Sequence, residues 1–291
     1  MCHLTLHGKR QSTWLNANSL CASPYEMALY VTYLSKKNKL KSTTIRSHLS
    51  AIAFFQKING KPDSTNTFLI KKLLTCHRKK DKPPQIRKPI TEHCLQKLVT
   101  SLKRSGSTKY DKRLYTALFT IMYHAALRAS EVCVTPHANH TLKSTQLEII
   151  QTHKGPAIKI KFLSYKHSQG QPTPLIIYSS KGITCPVKAY QTYLRMHQRP
   201  SQGSAFKNRD SSPLSRQQLA NVLHEILHNL NLKPSDYNTH SFRIGKATDM
   251  AKLGYSYAQI AMLGRWKSNA FLKYIKPTII HGTKWTHHSC T

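Results

Sequence analysis

Residues 79–91, KKDKPPQIRKPIT, set the first limit on what this chain can fold into. Its three prolines lack amide donors, fix their own φ and push the preceding residue out of the helical region, so no helix or central strand can run through. Five basic residues in the same stretch, Lys79, Lys80, Lys82, Arg87 and Lys88, keep it in water or hold it against an anion. A chain interrupted in this way has to build a core on each side. With 291 residues, 39% of them hydrophobic, there is material for both. The reading is a helical domain over 1–80, a basic proline-rich linker over 81–90 and a larger domain over 91–291. Between two basic domains the linker is expected to lie along a duplex, with those five cations as DNA contacts.

Charge narrows the partner. Lys and Arg number 45 against 11 Asp and Glu, a formal +34. Such a chain repels itself unless something anionic neutralises it, and a nucleic-acid backbone is the usual counterpart. The cations are spread along segments with apolar periodicity, unlike the basic tails of a ribosomal-type or membrane-surface protein. No apolar run is long enough to span a bilayer, and MCHLTLHGKR lacks the apolar core of a secretion signal. Met1 need not be the native start. Seven scattered cysteines without a CxxC pair point to free thiols in a reducing compartment, nuclear or cytoplasmic. His281, His287, His288 and Cys290 sit in a polar tail without finger-like spacing, so no metal site is expected there.

The periodicity is mainly helical. Met27, Tyr30, Val31 and Leu34 follow Pro24, and Ser42 and Thr43 precede Ile45, Leu49, Ile52 and Phe55. Leu69, Leu73 and Cys76 form a third stripe. Beyond the linker, Thr91 opens a helix carrying Leu95, Leu98 and Leu102, and a longer helix is expected over 113–134. Strands are expected over 147–151, 158–163 and 174–178, then helices over 187–196 and 217–230. Three short helices from about His240, Ser256 and Phe271 close the chain, with Gly254, Gly264 and Pro277 as their stops. The fold class is mainly α with a small antiparallel β-sheet.

Two segments carry chemistry-bearing residues in an unusual setting. In HAALRASEV (124–132), Arg128 stands among apolar residues, with Glu131 one helical turn on to hold its guanidinium. In THSFRIG (239–245), His240 and Arg243 share a face of a first helical turn that Asn238 or Thr239 can cap, where unpaired amides already favour an anion. LGRW (263–266) and FLKYI (271–275) follow. Phe242, Ile244 and Leu253 read as core, and His124 and His167 as structural or solvated.

ALRASEV, THSFRIG and LGRWKSNAFLKYI, in that order and with a wide gap after the first, resemble the tyrosine recombinases of the phage integrase family, especially the eukaryotic transposon branch of DIRS and Crypton type. The resemblance covers roughly residues 20–280. It implies a two-domain DNA clamp: an N-terminal helical core-binding domain of SAM-like type and a C-terminal catalytic domain. Arg128 and Arg243 would grip the nonbridging oxygens of the scissile phosphate, and His240 would serve acid–base chemistry or support the phosphate. Lys166, in LSYKHS (163–168), matches the hairpin lysine that protonates the leaving 5′ oxygen. Tyr274 would attack to give a 3′-phosphotyrosyl link, with Glu131 bracing the site. Nine residues before Tyr274 the family usually has His or Trp; here Arg265 stands there as a supporting residue, and the role passes to Trp266, whose indole offers a donor. The family implies several copies, usually four, on duplex DNA, cutting and rejoining it for mobile-element integration.

The chemistry is consistent with those residue types. Two guanidiniums suit the dispersed charge of a phosphoryl transition state, so no metal or other cofactor is required. A phenol of ordinary pKa about 10 needs a base or a positive surround to attack near neutrality. The covalent link conserves bond energy, so rejoining needs no ATP. The competing readings are a catalytically silent, domesticated DNA-binding relative, a type IB topoisomerase-like enzyme, and a basic RNA-binding protein, for which no aromatic RNA-binding box is present.

Overall fold

The computed structural model describes residues 22–82, 87–134, 140–163, 174–196 and 203–275. Lys166, His167 and the terminal histidines lie outside them. The chain divides into two compact units, Met1–Pro84 and Gln85–Thr291.

The first unit contains α1 (Pro24–Lys36), α2 (Ser42–Ile58) and α3 (Phe68–Lys80). Ser23 and Glu26 form a capping box ahead of Pro24, and Thr67 caps α3. The three helices meet in one core that includes Val31, Leu34, Ile45, Leu49, Ile70 and Leu74, so the stripe expected on α3 is corrected: Ile70 and Leu74 face inward while Leu69 and Cys76 are exposed, as is Phe55 near the end of α2. One capping expectation changes. Ser42 does not precede α2 but is its first residue, buried, and its amide donates to Asp81 Oδ2 at 3.1 Å. A carboxylate from the far end of α3 thus occupies the amide-rich start of α2. Lys79, Lys80 and Lys82 are exposed in and just beyond the last turn of α3.

The second unit contains α4 (Glu92–Arg104), α5 (Lys109–His124), α6 (Ala129–Val132), α7 (Pro186–Leu194), α8 (Arg216–Asn229), α9 (Ser241–Lys252) and α10 (Tyr257–Gly264), with an antiparallel sheet packed against α7. Its strands are β1 (Leu147–Thr152), β2 (Gly155–Ile160) and β3 (Leu175–Tyr178), in the order β1-β2-β3. Leu147 pairs with Ile160 and Thr152 with Gly155, whose φ of +97° closes the hairpin. Strand β2 runs earlier than expected over 158–163, because pairing starts at that turn and Leu163 is exposed. Helix α5 is the axis of the unit: Leu114, Leu118, Phe119, Ile121 and Met122 are wholly enclosed. Thr91 and Thr108 cap α4 and α5 as their sequences allow.

Three expectations are corrected here. The helix anticipated over 113–134 ends at His124; Ala126, at φ +46°, turns the chain before the single turn of α6. Leu253 is not core: it ends α9 and is 76% exposed, whereas Phe242 and Ile244 are buried. Finally, residues 87–90 are bound to the second unit. The Lys88 amide donates to Asp236 O at 2.7 Å, its ammonium pairs with Asp236, and the Ile90 amide donates to Ser241 O at 2.9 Å. Ile90 is fully buried, and its carbonyl lies so close to Gly245 that a Cβ there would sit 1.7 Å from the oxygen. Gly245 is therefore required by this contact. Arg87 also donates to the Ser235 carbonyl. Prolines remove helical options from this stretch, but they do not prevent an extended segment from docking.

Candidate active site

The turn between α5 and α6 places Arg128 as the N-cap of α6. Its amide donates to Glu131 Oε2 at 2.8 Å and its Nη1 to Oε1 at 3.1 Å. Glu131 is only 2% exposed, and a carboxylate so enclosed requires cationic partners. The second is Arg265, whose Nη2 donates to Oε2 at 2.8 Å. Arg265 also donates to the carbonyls of Ala125 and Leu263, and its guanidinium lies 4.2 Å from the centre of the Phe162 ring. It reaches this position because it, not Gly264, adopts the left-handed conformation after α10, at φ +53°. Gly264 serves a different need. A Cβ there would fall 1.8 Å from the Trp266 indole, which packs against its backbone.

Arg243, in the first turn of α9, has no exposed surface. Its Nη1 donates to Ala126 O at 2.5 Å and its Nη2 to Gly264 O, while the Trp266 ring covers the guanidinium at 4.0 Å. Burial, together with the charges of Arg128 and Arg265, brings its pKa down to about 9. In this conformation Arg243 is enclosed, and one donor from each outer nitrogen goes to a backbone carbonyl. It thereby holds the Ala126 turn to the end of α10.

His240 is the N-cap of α9, and its amide donates to the side chain of Asn238 at 2.9 Å. Asn238 therefore orders the approach to α9 rather than capping it in the usual way. His240 Nε2 lies 2.9 Å from the Tyr274 hydroxyl, with the rings edge-to-face at 5.4 Å. Burial and then the neighbouring charges of Arg243, Arg128 and Arg216 push the imidazole pKa down to about 4, so it is neutral near neutrality. Tyr274 ends a 3-10 turn over Asn269–Tyr274, and Thr248 on α9 donates to its carbonyl at 3.3 Å. The Trp266 ring stands 6.2 Å from the Tyr274 ring and 5.4 Å from Phe271.

The structure thus gathers Arg128, Glu131, His240, Arg243, Arg265, Trp266 and Tyr274 within one network. The two-arginine bridge on Glu131 and the bond from Thr248 to the Tyr274 carbonyl were missed in the sequence, since each joins segments far apart in the chain.

A second ionisable cluster lies in the same unit. Tyr123 donates to Asp249 Oδ2 at 2.6 Å, and the Glu92 amide donates to the same oxygen at 2.7 Å. Thr184 donates to Glu92 Oε1 at 2.5 Å, and Lys246 lies over the Tyr123 ring at 5.1 Å. His124 Nε2 is 3.2 Å from Thr184 O; burial and then the charge of Lys246 lower its pKa to about 4. Its structural reading fits these contacts.

The phage integrase family model matches residues 88–275. Three solved structures share the fold. The Tn1549 transposon integrase in complex with transposon right end DNA is 15% identical, with a TM-score of 0.58 over 88% of this chain and 81% of that one. The XerH recombinase bound to palindromic difH substrate, a post-cleavage complex, is 14% identical, at 0.61 over 87% and 68%. A lambda integrase dimer bound to a COC′ core site is 13% identical, at 0.55 over 93% and 68%. Among curated proteins no sequence matches this chain.

Proposed function

The chain belongs to the phage integrase family, and from that membership we propose that it cuts and rejoins duplex DNA at a specific site through a 3′-phosphotyrosyl intermediate formed by Tyr274. The observation that carries this reading is the 2.9 Å approach of the Tyr274 hydroxyl to His240 Nε2 beside Arg128. A neutral imidazole bare at Nε2 accepts the phenolic proton as the oxygen attacks phosphorus. Arg128, held in orientation by Glu131, stabilises the charge that gathers on the nonbridging oxygens. Arg265 shares that carboxylate and fixes its place, while Arg243, which also ties the Ala126 turn to Gly264, is the second cation on those oxygens. Lys166 protonates the departing 5′ oxygen. The phosphotyrosyl bond then exchanges with the 5′ hydroxyl of another strand, which returns the phenol and rejoins the DNA.

Lys79, Lys80, Lys82, Arg87 and Lys88 add phosphate contacts, and the tetramer usual for such enzymes exchanges strands in pairs on DNA. The expected substrate is the end of a mobile element of the DIRS or Crypton kind, and the expected setting is the nucleus.

Incubation with a pool of nicked duplexes of randomised sequence tests the reading. A denaturant-resistant protein–DNA adduct is expected. Its absence across the pool, with duplex binding retained, would support the non-enzymatic relative. Relaxation of supercoiled plasmid by a monomer at no defined site would support the topoisomerase-like reading.

A further inference from the structure

Tyr274 is held to α9 at two points. Its hydroxyl lies 2.9 Å from His240 Nε2, and its carbonyl oxygen lies 3.3 Å from the Thr248 hydroxyl. His240, Ile244 and Thr248 follow one another at intervals of four residues, so they form a single row along the helix. The tyrosine therefore lies along that row, with its phenol at the N-terminal end of α9 and its backbone about two turns further on. Phe271 and Ile275, on either side of it, are buried in one cluster with Ala247, Met250 and Ile260. Apolar packing of this kind is non-directional, so it sets neither the rotation of the turn nor the reach of the phenol.

Thr248 supplies the direction. It is buried, and its hydroxyl has one proton for two acceptors, Ile244 O at 2.8 Å and Tyr274 O at 3.3 Å. The first contact is one that a threonine inside a helix commonly makes. Thr120 on α5 makes the same contact with Thr116 O at 2.8 Å, far from any tyrosine nucleophile in the chain. Within α9, moreover, Ile244 O already accepts the Thr248 amide and does not depend on the hydroxyl. Tyr274 is differently placed. It ends its 3-10 turn, where a carbonyl has no partner within the same helix and relies on a group from elsewhere.

We propose that Thr248 is a positioning residue for the nucleophile: its hydroxyl fixes the Tyr274 backbone on α9, so that the phenol stays aligned with His240. The inference rests on the strand-transfer reading for its effect on rate, but not for its effect on the turn. A phenol stands far from its own backbone, and a misplacement of about 1 Å at a reacting atom costs about a hundredfold in rate.

Two measurements test it, on Thr248→Val, which keeps the shape and loses the hydroxyl, and on Thr248→Ser, which keeps the hydroxyl. Hydrogen exchange of the free protein reads the turn. Thr248→Val is expected to lower protection over residues 269–275 by about fivefold, as loss of one hydrogen bond does, and Thr248→Ser to restore it. Adduct formation on the nicked pool reads the chemistry. There Thr248→Val is expected to slow the covalent step by about ten- to a hundredfold with duplex affinity unchanged, again with recovery in Thr248→Ser. Thr120→Val is the control for loss of a buried threonine hydroxyl and should leave both readings near wild type. Thr248→Ala replaces the valine variant if that chain does not fold. Wild-type protection over 269–275 in Thr248→Val overturns the proposal. So does a wild-type rate, a rate loss matched by Thr120→Val or by weaker duplex binding, or a serine variant as slow as the valine one. Should the wild type itself form no adduct, the strand-transfer reading fails, while hydrogen exchange still decides whether Thr248 holds the turn.

Discussion

Two histidine–tyrosine neighbourhoods in the second unit invite comparison. The charges acting on His240, beside Tyr274, are the guanidiniums of Arg243, Arg128 and Arg216, while the buried carboxylate there, Glu131, is paired with Arg128 and Arg265. Around Tyr123 and His124 they are the carboxylates of Glu92 and Asp249, with Lys246 lying across the ring. Both imidazoles are held neutral, each at a pKa of about 4. The phenols differ in what their surroundings permit. Burial and the Asp249 carboxylate hold the Tyr123 hydroxyl protonated far above the ordinary phenol range, and it serves as a donor that fastens α5 to α9. Tyr274 instead places its hydroxyl 2.9 Å from His240 Nε2. The same two side-chain types make a structural tie in one place and the proposed nucleophile in the other.

The comparison can be broken in steps. Arg128→Ala should have the largest effect, slowing adduct formation by about 10²–10³-fold, while the fold, followed by circular dichroism, persists. Retention of the wild-type rate would remove Arg128 from the chemistry. Next, Glu131→Ala leaves two guanidiniums without their buried partner and should cost about 3–5 kcal/mol in urea unfolding, with chemistry lost as well. The matched change in the other cluster, Asp249→Ala, strands the Tyr123 hydroxyl and the Glu92 amide. It should cost about 1–3 kcal/mol and leave the adduct rate of folded protein near wild type. Equal loss of rate in both variants would dissolve the distinction drawn here.

Gly245→Ala sharpens the account of the interdomain segment. Overpacking against the Ile90 carbonyl should cost about 1–3 kcal/mol, read from the urea midpoint. The smallest effect concerns pH. Both histidine pKa values are lower in the folded chain than the ordinary 6.5, so the unfolded chain binds more protons between pH 4 and 6.5. Their contribution to stability is complete above pH 6.5 and is lost as the pH falls towards 4, by about 1 kcal/mol per pH unit for each histidine. Unfolding curves of His124→Asn and His240→Asn should each show a shallower slope in that window; an unchanged slope in either would contradict the assignment for that histidine.

Much of the fold was legible because it is written in local patterns. The stripes of α1 and α4, the Thr91 cap and the hairpin order follow from side-chain periodicity and turn chemistry, whereas the buried face of α3, Ile70 and Leu74, is not the one its sequence suggested. What escaped depended on contacts between distant segments. The break after His124 comes from a left-handed turn at Ala126, a residue with no preference for one, whose carbonyl is held by Arg243. Likewise, Asp81 at the start of α2 and Ile90 against Gly245 join residues far apart in sequence. The site was legible as a set of residue types, but not as geometry. Nothing in THSFRIG shows that Arg243 would be enclosed, or in LGRW that Arg265 would reach Glu131 while Trp266 covers its neighbour.

The central claim concerns one oxygen atom, and mass spectrometry of a trapped adduct tests it directly. After reaction with the nicked pool, digestion with protease and nuclease should leave a nucleotide on the peptide containing Tyr274, and Tyr274→Phe should give no adduct. A nucleotide found on another residue, or an undiminished adduct from Tyr274→Phe, would contradict the account.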